Sequence, residues 1–78
     1  MSYQLSEHAQ KMINEREIKI TWLENTLYHP DKSYKETDNT FHYIKQIKEN
    51  NNKFLRVIIN KDVNPQKIIT VFFDRRLK

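Results

Sequence analysis

Phe54-Leu55-Arg56-Val57-Ile58-Ile59-Asn60, then Lys61-Asp62-Val63-Asn64-Pro65-Gln66, then Lys67-Ile68-Ile69-Thr70-Val71-Phe72-Phe73-Asp74 is the stretch that decides the fold. Both flanking runs are rich in β-branched and aromatic side chains, which suit a pleated, half-buried surface. The segment between them is polar and carries Asn and Pro, residues that favour turns. Two such runs joined by a short turn pair antiparallel. Reading back, Glu49-Asn50-Asn51-Asn52-Lys53 is a second hairpin turn, and Thr40 to Lys48 is the strand before it. Lys32 to Glu36 reads as a weaker edge strand or an extended loop.

Alternation assigns faces to these strands. Leu55, Val57 and Ile59 form a wholly apolar set, matched by Ile69, Val71 and Phe73. The opposite sets are mixed: Phe54, Arg56 and Ile58, with Ile68, Thr70 and Phe72. The pure sets are expected to pack under helices. That leaves Arg56 and Thr70 at the centre of an open, partly apolar sheet surface. In the earlier strand Phe41, Tyr43, Lys45 and Ile47 share one side, and His42, Ile44 and Gln46 share the other. Lys45 joins Arg56 if Phe41 and Tyr43 belong to the open face. If they belong to the core, it snorkels at an edge.

Upstream of Pro30 the pattern is helical. Ser6 is a good N-cap with Glu7 in the first turn, and Leu5, Ala9, Met12, Ile13 and Arg16 follow one stripe. That helix should end near Arg16 or Glu17. Thr21-Trp22-Leu23-Glu24 has the spacing of a capping box, with Ile20 as its staple residue. The second helix should run to about Tyr28 and stop before His29-Pro30. The expected fold is therefore α+β. Two N-terminal helices pack on one face of a three- to four-stranded antiparallel meander, in a single domain over residues 1–78.

Composition narrows the partners. The chain has no Cys and no Gly, so neither disulfides nor thiolate ligands are available, and tight turns fall to Asn and Asp. Fourteen Lys and Arg against ten Asp and Glu give a net charge of +4, with pI ≈ 9.4. This balance favours nucleic acid or an acidic protein as partner, against the alternative of a merely soluble basic surface. No apolar run approaches the ~18 residues of a membrane span, and no basic-then-apolar leader is present, so a cytoplasmic location is expected.

An open sheet face with a central cation, a hydroxyl and flanking aromatics is what a reader of single-stranded RNA needs. The alternative is a solvated arginine or a face covered by a partner protein. Arg16 on an apolar stripe is costly unless paired, although a helix-end cation can instead bond terminal carbonyls. His8 borders the same stripe. Arg75, Arg76 and Lys78 could grip phosphate, or form a solvated end. His29 and His42 carry no functional reading. Three dispersed histidines without Cys give no metal signal, and no cofactor is expected.

Ser6-Glu7-His8-Ala9-Gln10-Lys11-Met12-Ile13-Asn14-Glu15-Arg16-Glu17-Ile18 resembles the opening of a small bacterial domain-of-unknown-function family, S-x-H-A-x-x-[RK]-M-x-x-R-x-I. Leu27-Tyr28-His29-Pro30-Asp31, Leu55-Arg56-Val57-Ile58, Ile68-Ile69-Thr70-Val71-Phe72 and Asp74-Arg75-Arg76 look like its later segments, in order. That family is grouped with BrnT and RelE-like toxins. The resemblance implies a metal-independent endoribonuclease with its RNA site on the sheet, held in check by an antitoxin, here expected to be acidic. It carries over His8, Arg16, Arg56 and Thr70 as catalytic positions; the RNA contacts expected beside them, from strand parity and the basic tail, are Lys45, Arg75, Arg76 and Lys78. RNA supplies its own nucleophile, the 2′-OH. On this reading His8 is the acid or base, Arg56 and Arg16 clamp phosphate, and Thr70 orients it. Phe72 stands where the family usually has tyrosine, which removes a hydroxyl. The other reading is a non-catalytic module that binds RNA or blocks a protein target.

Overall fold

The computed structural model describes residues 2–77. Along the chain these form β1 (Tyr3–Leu5), α1 (Glu7–Glu15), α2 (Ile20–Tyr28), β2 (Lys32–Lys35), β3 (Thr40–Ile47), a 3₁₀ turn (Lys48–Asn50), β4 (Lys53–Asn60) and β5 (Gln66–Phe73). Ser6 caps α1 as its chemistry suggests: its hydroxyl oxygen accepts from the Ala9 N–H at 2.9 Å and its hydroxyl donates to the Ile69 carbonyl at 2.7 Å. One side chain thus both starts a helix and ties it to a distant strand.

The sheet is five-stranded and mixed, in the order β1-β5-β4-β3-β2. Strands β2 to β5 pair antiparallel with their sequence neighbours. The expectation of three or four antiparallel strands is corrected by Tyr3–Leu5, which pairs in parallel with Gln66–Ile68. Three residues are too short for alternation to show. Both helices pack on one face, where Ala9, Ile13, Ile18, Leu23 and Leu27 meet Leu55, Val57, Ile59, Ile68 and Val71 in one core. Trp22 closes its rim with an edge-on contact to Phe73, ring centroids 6.0 Å apart.

A bulge between Ile58 and Ile59 shifts the β4–β5 register by one residue, so that Ile59 faces Ile68 while Ile58 faces Thr70. Parity in β5 therefore changes at Ile69. Ile68, assigned by alternation to the open face, is fully buried under the helices, and Ile69 is only half-buried. The second helix also starts differently. Lys19 is its N-cap, with no side-chain cap bond. Thr21 lies exposed inside the helix, Ile20 is 44% exposed instead of stapled, and Glu24 accepts from the Tyr3 hydroxyl at 3.2 Å. With the helix starting at Ile20, Thr21 is its second residue and cannot cap it, so the capping box does not form.

Without glycine, every left-handed position falls on a side chain with a Cβ. Among the described residues these positions are Glu17, Asn39, Asn51 and Asn52. The three asparagines are the expected solution. Glu17 is held there by a helix-ending motif in which its N–H bonds Asn14 O and the Ile18 N–H bonds Ile13 O. No helix among the described residues is long and apolar enough to cross a membrane.

Candidate functional site: a charged cluster beside a basic groove

The sheet face away from the helices carries Tyr34 from β2, His42 from β3, Arg56 from β4 and Thr70 from β5. Parity put Arg56 on this face correctly. Its exposure was expected and is not found: Arg56 is 7% exposed and lies in an ion pair with Asp74, Nε to Oδ2 at 2.8 Å. The reason is local. The Asp74 N–H extends the β4–β5 ladder by bonding Phe54 O, which carries its side chain onto the same face, diagonal to Arg56.

The guanidinium is held on a second side. One terminal nitrogen reaches the Tyr34 hydroxyl and the His42 Nδ1, the latter at 2.8 Å. An arginine can only donate, so Nδ1 accepts and the proton of a neutral His42 sits on Nε2. That nitrogen lies 3.3 Å from the Thr40 hydroxyl, which donates to Asp38 at 2.5 Å. Tyr34 and His42 stack at 5.0 Å between ring centroids. Burial, then the neighbouring Arg56 charge, pushes the His42 pKa down. Asp74 is held far below the usual carboxylate range, first by the Arg76 side chain bonded to it and also by Arg56. Arg76 itself extends into solvent.

Asp74 also lines a groove of about 850 Å³ at the end of the sheet where β4 begins and β5 finishes. Arg16, Lys53 and Arg75 contribute cations to it, Phe54, Phe72 and Phe73 contribute rings, and Asn50, Asn51 and Asn52 form one wall. None of the three cations has an ion-pair partner among the described residues. Arg16 is exposed at the C-cap of α1, so the cost expected for a buried arginine does not arise.

The proposed catalytic quartet is therefore not one site. His8 is exposed on α1, on the helix side of the sheet from Arg56. It lies roughly 12 Å along the helix from Arg16, at 1.5 Å per residue. Thr70 shares the open face with Arg56, at a diagonal position. Lys45 turns to the helix side with Phe41 and Tyr43. There it bonds the His29 carbonyl at 2.8 Å and sits 3.6 Å from Asp31, so it does not join Arg56. Of the RNA contacts expected, Arg75 lines the groove, Arg76 belongs to the Asp74 cluster, and Lys78 falls outside the described residues. Tyr34, His42 and Asp74 were missed. The signal for them was pairing: Ile44 sits opposite Arg56 and His42 opposite Ile58, which places His42 diagonally from the arginine.

The family model for a domain of unknown function, DUF4258, matches residues 5–73. No curated protein and no solved structure matches the chain.

Proposed function

Because the chain belongs to the DUF4258 family, a domain of unknown function, its activity has to be read from its own site, and we propose that it binds single-stranded RNA. The observation that carries this is the groove: three cations without an ion-pair partner among the described residues, around half-buried phenylalanines. Cations meet the phosphates and rings accept bases whatever their sequence. Asp74 in the groove wall is bonded to Arg56 and Arg76, so the groove adjoins the cluster on the open face. The +4 chain charge suits the same partner, and also an acidic protein inhibitor covering the groove.

A second reading is favoured by the Tyr34–His42–Arg56 cluster: metal-independent cleavage of the bound RNA, the activity of a BrnT- or RelE-like toxin paired with an antitoxin in the cytoplasm. The 2′-OH attacks the adjacent phosphate, a residue takes its proton, and an acid protonates the leaving 5′-oxygen. A neutral imidazole near a phenol suits such transfers, worth about 10²–10⁴ in rate. Binding stands ahead of cleavage because Arg56 is committed to Asp74, and His42 Nδ1 to Arg56.

Fluorescence anisotropy with a labelled RNA strand tests the first reading. Joint Arg16→Ala and Arg75→Ala replacement should weaken binding at least tenfold. It should also reduce the salt slope by about 1.4, at ~0.7 for each phosphate that is no longer neutralised. Unchanged affinity in this folded variant overturns the reading. Incubation in EDTA, followed by end analysis, tests the second. Cyclic-phosphate ends that disappear in Tyr34→Phe and His42→Asn support cleavage; intact bound RNA leaves a binding module.

A further inference from the structure

The groove holds backbone donors that a plain basic trough does not need. Between β3 and β4 the chain passes from right-handed 3₁₀ geometry at Asn50 to left-handed geometry at Asn51, with φ 56° and ψ 31°. A right-handed residue followed by a left-handed one turns successive N–H groups toward one concave side, the arrangement that cradles anions. The N–H groups of Arg16 and His29, at the ends of α1 and α2, bond back to carbonyls of the preceding turn; that of Asn51 does not. The Asn52 side of this loop is fixed, because Gln46 Nε2 donates to the Asn52 carbonyl at 3.2 Å. The loop is thus anchored while the Asn51 N–H remains available.

Charge in the groove points the same way. Asp74 is its one lining carboxylate among the described residues, and both its oxygens are taken up by Arg56 and Arg76. Arg16, Lys53 and Arg75 therefore face the groove uncancelled. An internal phosphodiester brings one negative charge. A phosphate monoester brings about −1.5 to −2 at pH 7 and three strong acceptor oxygens. Three cations with a backbone cradle match the monoester better than the diester.

We propose that the Asn50–Lys53 loop, with Arg16 and Arg75, is a binding site for a phosphate monoester, supplied by the phosphorylated end of an RNA strand. The phosphate chemistry stands on the loop and its cations; its source rests on reading the groove as an RNA site. The site ranks strands by their ends and not by their sequence.

Adenosine 5′-monophosphate, adenosine and the dinucleotide ApA, which has only an internal phosphodiester, are titrated into the labelled protein while amide resonances are followed by NMR. The monophosphate should shift the amides of Asn51, Asn52 and Lys53 saturably; the other two should not. In parallel, one oligonucleotide is compared as its 5′-monophosphate, its 3′-monophosphate and its unphosphorylated form. At least one phosphorylated form should bind fivefold or more tightly than the unphosphorylated strand. Arg16→Gln with Arg75→Gln should erase that preference, and Asn51→Gly, which keeps the left-handed turn, should retain it. Equal binding of all three strands overturns the proposal and leaves RNA binding standing. Monophosphate shifts without affinity for any strand support the phosphate site and overturn its RNA source. No shift with the monophosphate, or equal shifts with ApA, overturns the site itself.

Discussion

Removing the Asp74 carboxylate should be among the most damaging single changes this chain can suffer. Arg56 is 7% exposed and Asp74 is 4% exposed, so the pair has little water around it. In Asp74→Ala the guanidinium keeps its hydrogen bonds to Tyr34 and His42 but is deprived of the only negative charge bonded to it among the described residues. Breaking a buried pair by removing one partner typically costs 3–5 kcal/mol, because an uncompensated charge is left behind. A domain of this size has total stability on the order of 4–12 kcal/mol. A loss of about 3 kcal/mol should lower Tm by roughly 12–24 °C. Arg76→Ala supplies the contrast. It touches the same carboxylate from an 80% exposed side chain, where water screens the pair, so its loss should be far less damaging. Urea and thermal unfolding, followed by circular dichroism at pH 7, measure both. Replacing both partners, as Arg56→Met with Asp74→Ala, should recover much of the loss. The reasoning is refuted if Asp74→Ala unfolds within 1 kcal/mol of the parent, or if Arg76→Ala proves equally damaging.

The depressed His42 pKa makes the folded chain bind fewer protons than the unfolded one, so this contribution is complete above the ordinary value near 6.5 and is lost as pH falls below it. Urea unfolding at pH 7.5 and 5.5 should show reduced stability at the lower pH, and His42→Asn should flatten the difference. Asp74 has the same sign, but its loss sets in only at far more acidic pH. Glu17→Gly relieves a left-handed position and should raise stability by about 1 kcal/mol, read as a higher urea midpoint. Ser6→Ala removes the α1 cap and a tie to Ile69 and should cost about 1–2 kcal/mol, whereas Thr21→Ala, at an exposed non-capping position, should change the midpoint little.

Local chemistry made much of the fold readable. Ser6 announced α1, β-branched runs announced β4 and β5, and the asparagine run supplied the left-handed turn between β3 and β4. Alternation put Leu55, Val57 and Ile59 under the helices because period two holds wherever a strand is regular. It failed at Ile68 and Ile69 because a bulge is set by the ladder and not by composition. The Thr21 motif failed because the helix begins two residues earlier, at an N-cap, Lys19, that makes no side-chain cap bond and so leaves no local signal. For the site, alternation assigned a face but not an exposure. Nothing local signals that Asp74 reaches Arg56, eighteen positions away, since that pairing follows from the β4–β5 register. Arg16 and Arg75 drew attention as cations, yet their shared groove exists only once α1 is docked on the sheet.

Strand β5 lies between β4 and the three residues of β1, and the Ser6 N–H closes onto Ile68 O at 3.0 Å. The first strand of this domain to leave the ribosome is therefore nearly the last to find its neighbour, and a nascent chain must hold Tyr3–Leu5 in reserve until residues near 68 emerge. Closure across so much chain slows folding relative to local pairing. It also makes release of the opening segment a direct way to bare the edge of β5, a ready template for joining to another chain.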